Sequence, residues 1–159
     1  MKTHIINSGD HFIRGYYIDP KICKKLITNF EKRKKEHEPG QVGAGEVVKK
    51  GKDSLDLKIA YNESPLLTSY FDELQKCKDL YRQEFTCLDS ICFPWDLKIF
   101  SRLQRYKKGQ GFHSFHYERG HFRNDSACLR MLVWMTYLNT IKKKGETEFL
   151  NQKLKIKPE

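Results

Sequence analysis

Apolar side chains at Ile22, Cys23, Leu26, Ile27 and Phe30 recur three and four residues apart, the spacing of one helix face. Asp19 followed by Pro20 reads as N-cap and first helical residue, so a helix is predicted from Pro20 to about Lys35. The Pro- and Gly-rich residues 39–45 end it. Ahead of it, residues 3–18 read as a short strand and a polar turn. Residues 47–61 read as loop and strand. Within them Lys52, Ser54 and Asp56 alternate with Asp53, Leu55 and Leu57, an odd mixture of polar and apolar positions. Pro65 opens a second helix, carried by Leu66, Leu67, Tyr70, Phe71, Leu74, Cys77, Leu80 and Tyr81. It is expected to pack on the first helix or against a sheet.

After Pro94 the period changes to two. Leu97, Ile99, Ser101, Leu103 and Arg105 share one face of a predicted strand; Lys98, Phe100, Arg102, Gln104 and Tyr106 share the other. Residues 107–111 read as a turn and residues 112–118 as a second strand. A buried-looking strand follows over residues 130–138, with Trp134 and Met135 assigned to the core. Short strands are expected at residues 146–150 and 154–156. The chain therefore reads as one α+β domain over residues 1–159. Helices in residues 1–85 support a strand-rich part, residues 95–159, of sandwich or jelly-roll type. Five or six strands can be counted there against the usual eight, so the jelly roll is expected to be incomplete, through truncation or completion by a partner.

Composition narrows the classes. Aromatic residues make up 13% of 159 residues, too many for a chain that stays unfolded. No apolar run approaches the roughly 20 residues of a membrane span, and residues 1–7 lack the form of a secretory leader. Cys23, Cys77, Cys87, Cys92 and Cys128 show no paired spacing and read as reduced thiols of a cytoplasmic protein. The formal charge of +10 admits a nucleic-acid partner. Its lysines, however, fall in short clusters such as Lys24-Lys25 and Lys142-Lys143-Lys144, without interleaved aromatics, and read mainly as solvated surface.

The chemistry concentrates at His116-Tyr117-Glu118. On a strand, residues two apart face the same way at about 6.6 Å, so an imidazole and a carboxylate can converge on one metal ion. Two His and one carboxylate form the facial set of non-heme Fe(II) oxygenases. A His-x-Glu alone is equally an ordinary surface pair. His113 falls on the opposite face of that strand, and His121 lies in a loop that can border a site.

The surrounding residues add to this. Tyr106, Gly109, Phe112, His116 and Glu118, then Arg130 to Asn139 ending in Tyr137-Leu138-Asn139, then Gly145-Glu146-Thr147-Glu148-Phe149 follow in that order. This series resembles the prolyl 4-hydroxylase-like 2-oxoglutarate/Fe(II)-dependent dioxygenases, in the phage and marine-bacterial branch that uses Glu as the carboxylate. Residues 52–57 resemble a segment upstream in that branch. The resemblance implies an incomplete double-stranded β-helix and hydroxylation of an unactivated C–H, a prolyl residue being one candidate among peptidyl and small-molecule substrates. It implies Fe(II) held by His116 and Glu118, 2-oxoglutarate as cosubstrate near Tyr106 and Tyr137, and ascorbate as an accessory. Arg130 takes a substrate or structural role, and Thr147 and Phe149 pack nearby. The pattern also departs from the family: Lys144 replaces a glycine, and neither the distal His nor the basic residue for the cosubstrate's far carboxylate is present. A non-catalytic scaffold serving as an interaction module, or a basic nucleic-acid-associated protein, are the alternatives.

Overall fold

The computed structural model describes residues 1–6, 11–43, 45–90, 94–120 and 126–159. It is a mixed α+β fold of two helices and three small antiparallel sheets. Strands β1 (Lys2–His4) and β2 (Gly15–Tyr17) pair with each other. Helix α1 covers Pro20–Lys32, and the Asp19 carboxylate accepts the Lys21 N–H at 2.8 Å, as the N-cap reading requires. The helix stops three residues short of the predicted Lys35. Arg33 closes it, and a short 3₁₀ turn, Lys34–Glu36, follows. The His37 imidazole then stacks on Phe30 and hydrogen-bonds the Phe30 carbonyl at 2.8 Å, a second partner for a carbonyl that the Arg33 N–H meets at 3.1 Å.

Helix α2 covers Pro65–Glu84, capped by the Ser64 hydroxyl, which accepts the Leu67 N–H. The central sheet is β3 (Glu38–Pro39), β4 (Leu55–Ala60) and β5 (Phe100–Arg105), with β4 in the middle. Leu57 lies opposite Leu103, and Asp56 opposite Gln104. One face of this sheet meets both helices. Leu57, Ile59 and Leu103 pack there with Leu26 and Phe30 of α1 and with Leu67, Tyr70, Phe71 and Leu74 of α2. α2 thus packs on both α1 and a sheet. Removing the Leu67 side chain from this core would cost about 2–5 kcal/mol.

Strands β6 (Thr147–Phe149) and β7 (Leu154–Ile156) form the third sheet, close to the predicted positions. Two expected strands form no ladder among the described residues. Residues 107–111 do not reverse the chain. Two residues lie between Lys52 and Leu55, and six between their partners, Phe112 and Arg105. The loop is therefore an excursion within one strand direction, with Gly109 at φ +86°. Beyond it, Phe112 rejoins the segment that precedes β4. Asp53 N–H donates to the Gly111 carbonyl at 2.9 Å, and His113 N–H to the Gly51 carbonyl at 2.7 Å. Residues 114–118 then run on outside any ladder among the described residues.

Residues 130–138 are also unladdered, although their faces alternate. Trp134 and Leu138 pack against the core, and the Thr136 hydroxyl meets that of Tyr70 at 3.0 Å. Val133 and Met135 face outward. Met135 is 56% exposed, which corrects its assignment to the core. Among the described residues no helix is long and apolar enough to cross a membrane.

Candidate metal-binding site and the buried cluster beside it

His116 and Glu118 do converge, without the strand that was expected to align them. His116 Nε2 stands 3.3 Å from Glu118 Oε1. The other ring nitrogen, Nδ1, lies 2.9 Å from the Ser114 carbonyl oxygen. A carbonyl only accepts, so Nδ1 carries the proton. In the neutral imidazole Nε2 then presents a lone pair to a carboxylate oxygen. Two acceptors at that distance need a proton or a metal cation between them.

Both arrangements fit the rest of the site. The side chains are 41% and 42% exposed, so a proton on Nε2 gives an ordinary surface ion pair worth about 0–1 kcal/mol. A divalent ion bound about 2.1 Å from each donor, at right angles, sets the donors about 3 Å apart, close to the separation seen. An imidazole whose distal N–H is fixed by a backbone carbonyl is also the usual setting of a metal-binding His.

Arg130 completes the local geometry. Its guanidinium donates to Glu118 Oε2 at 2.7 Å and to the Glu118 carbonyl at 2.9 Å. This occupies one carboxylate oxygen and leaves Oε1 as the single donor turned to His116. The Phe112 ring stacks on the imidazole, centroids 3.9 Å apart and planes 13° from parallel. Among the described residues no group of three or more His, Cys, Asp or Glu side chains gathers around one point. His113 is exposed, and His121 lies outside the described residues.

Neither tyrosine joins the pair directly. The Tyr137 hydroxyl donates to Thr147 Oγ1 at 2.5 Å, which ties residues 130–138 to β6. Burial pushes its phenol up. Tyr106 donates to Gln104 Oε1 at 2.9 Å, and burial, with a smaller contribution from the Asp56 charge, pushes it up to about 12.

Gln104 leads to a cluster whose alternation was visible in the sequence but whose role was not. Lys52 Nζ lies 2.8 Å from Asp56 Oδ2, and the two side chains are 4% and 1% exposed. Asp56 Oδ1 accepts the Ser54 hydroxyl at 2.6 Å, and the Gln104 amide reaches Oδ2 at 3.5 Å. Arg102 stands 3.6 Å from the same oxygen. The buried carboxylate is thus well supplied with donors, which a charge removed from water requires. Lys52, Ser54 and Asp56 share the polar side of the central sheet, and Leu55 and Leu57 its core side, which explains the mixed pattern of residues 52–57.

No family model, no curated protein and no solved structure matches this chain.

Proposed function

We propose that this chain is part of a 2-oxoglutarate- and Fe(II)-dependent dioxygenase of the prolyl 4-hydroxylase-like type, with His116 and Glu118 as two iron ligands on an incomplete jelly roll. The observation that carries the reading is the approach of His116 Nε2 to Glu118 Oε1, with Nδ1 committed to the Ser114 carbonyl. The order of residues from Tyr106 to Phe149 supports it.

In this reading His116 Nε2 and Glu118 Oε1 would hold the ion. Arg130 keeps the carboxylate single-toothed and turned toward the imidazole. Iron, when bound, supplies the redox chemistry that activates oxygen with 2-oxoglutarate as reductant. Tyr106 and Tyr137 offer phenolic donors for a desolvated carboxylate, each after exchanging its present partner. Activity requires a third ligand and a basic partner for the cosubstrate. The proposal assigns both to a further segment or a partner, which also closes the jelly roll. The substrate is an unactivated C–H, with a prolyl residue as the leading candidate.

The test is Fe(II)-dependent formation of succinate from 2-oxoglutarate by the protein as its native locus produces it. Succinate lost in both His116→Ala and Glu118→Ala supports the reading. Turnover unchanged in both variants sinks it.

A second reading has one observation of its own. A surface hollow on α1 is lined by Lys24, Lys25 and Lys32 with Thr28, Asn29 and Leu66. Together with the +10 charge this favours a polyanion such as a nucleic-acid backbone. Its test is binding of random duplex and single strands that weakens steeply with salt. Affinity indifferent to salt, or unchanged in Lys24→Glu/Lys25→Glu, removes it.

A further inference from the structure

We propose that Phe112, held by the buried Lys52–Asp56 pair, is a positioning residue that sets the plane of the His116 imidazole, a role that rests on the two-donor reading of His116 and Glu118. Among the described residues His116 sits on a stretch outside any ladder, so no strand pairing fixes where the ring points. Two contacts do. The Ser114 carbonyl holds Nδ1, which still leaves the ring free to swing about that hydrogen bond. The Phe112 face removes this freedom, because the two rings lie nearly parallel at 3.9 Å.

Phe112 is itself the last side chain fixed by the sheet. It forms a β-bridge with Lys52, flanked by the hydrogen bonds from Asp53 N–H to Gly111 and from His113 N–H to Gly51. The Lys52 ammonium lies 6.0 Å from the centre of the Phe112 ring, at the outer limit of a cation–π contact, so the backbone bridge carries most of the hold. Lys52 in turn is anchored by the Asp56 carboxylate at 2.8 Å, out of solvent. A continuous series of contacts therefore runs from the middle strand of the sheet through Lys52 and Phe112 to the metal-facing nitrogen. This gives the Lys52–Asp56 pair a use beyond its own stability, for which a buried ion pair is weak support.

The ring geometry can be read without metal. In the metal-free protein, aromatic proton NMR should find the His116 ring protons shifted upfield by the Phe112 ring current. Phe112→Leu should abolish that shift, leave the His4 and His37 signals in place, and weaken cobalt(II) binding about 10- to 100-fold, the usual loss when a metal ligand's support is removed. Phe112→Tyr should restore both. Lys52→Met alone leaves a buried carboxylate unpaired, so the Lys52→Met/Asp56→Leu double variant is the one to use. It should stay folded by circular dichroism and show the His116 shift displaced and cobalt(II) affinity lowered.

An unchanged His116 shift in Phe112→Leu overturns the positioning role, and one in the folded double variant overturns the part given to the Lys52–Asp56 pair. A lost shift in Phe112→Leu with cobalt(II) affinity unchanged also overturns the positioning role. If the wild-type protein takes up no cobalt(II), the two-donor reading fails, and nuclear Overhauser contacts from the His116 ring to Glu118 still decide the positioning role: lost in Phe112→Leu they support it, kept they overturn it.

Discussion

Lys52 and Asp56 form an ion pair at 2.8 Å inside the protein, four residues apart on an extended segment rather than a helix. Residues four apart on a strand share a face but stand about 13 Å apart along it. Residues 51–54 precede β4, and the long Lys52 side chain reaches forward along the chain to the carboxylate. The pair closes the polar side of the sheet as Leu57 and Ile59 close the other.

Removing one partner is costly. Lys52→Met should lower unfolding stability by about 3–5 kcal/mol, since the Asp56 charge is left buried. Removing both charges together in Lys52→Met/Asp56→Leu should cost far less. Urea unfolding of the three proteins checks this. Similar losses in the single and double variants would show that the pair's packing, and not its charge balance, matters.

Gly40 has no room for a side chain. A Cβ there would stand 2.1 Å from the Ser54 hydroxyl and 3.1 Å from Lys52 Cε. Gly40→Ala must push Ser54 off Asp56 or move the backbone, and about 1–3 kcal/mol of stability should be lost. Thermal unfolding reads it. Gly43 has open space around its Cβ position and serves as a control for crowding, although its φ of +52° adds conformational strain of its own.

Tyr106 gives a pH dependence with a defined sign. Its phenol ordinarily loses its proton near 10.0 and is pushed up to about 12 in the fold. The folded state therefore holds this proton where the unfolded state has released it. Its contribution to stability is complete below pH 10, falls between 10 and 12, and is gone above. Tyr106 is more than a third exposed, so solvent screening keeps the effect modest. Tyr106→Phe should flatten the stability profile in that window. A profile with the same slope in both proteins would place the loss elsewhere.

Much of the fold was legible because local rules decided it. Asp19-Pro20 and the apolar spacing through Phe30 place α1, and the alternation from Leu97 to Arg105 places β5 and its buried Leu103. Residues 114–118 and 130–138 have strand-like alternation too. A ladder, however, needs a partner strand, and nothing local to Phe115 or Val133 says whether one is there. Residues 107–111 read as a turn, and the register of Phe112 with Lys52 shows that turn to be an excursion within one strand direction. At the candidate site the spacing of His116 and Glu118 was readable. The Ser114 carbonyl was not, since it depends on a local bend that no strand ladder dictates, nor was the Arg130 clamp, which depends on how residues 114–118 and 130–138 lie beside each other. The alternation of Lys52, Ser54 and Asp56 stood in the sequence as a signal, and only burial gave it meaning.

The exposed His116–Glu118 pair adds little to stability, which makes its chemistry separable from folding. The most direct measurement is a titration of the metal-free protein with cobalt(II), followed by nitrogen NMR of the imidazoles. The account predicts one ion per chain, seen at His116 Nε2 with Nδ1 still protonated. It also predicts binding lost in His116→Ala and Glu118→Ala while unfolding stability changes by less than about 1 kcal/mol. An Nε2 signal that responds to acid but not to cobalt(II) would make the pair a surface ion pair and contradict the account.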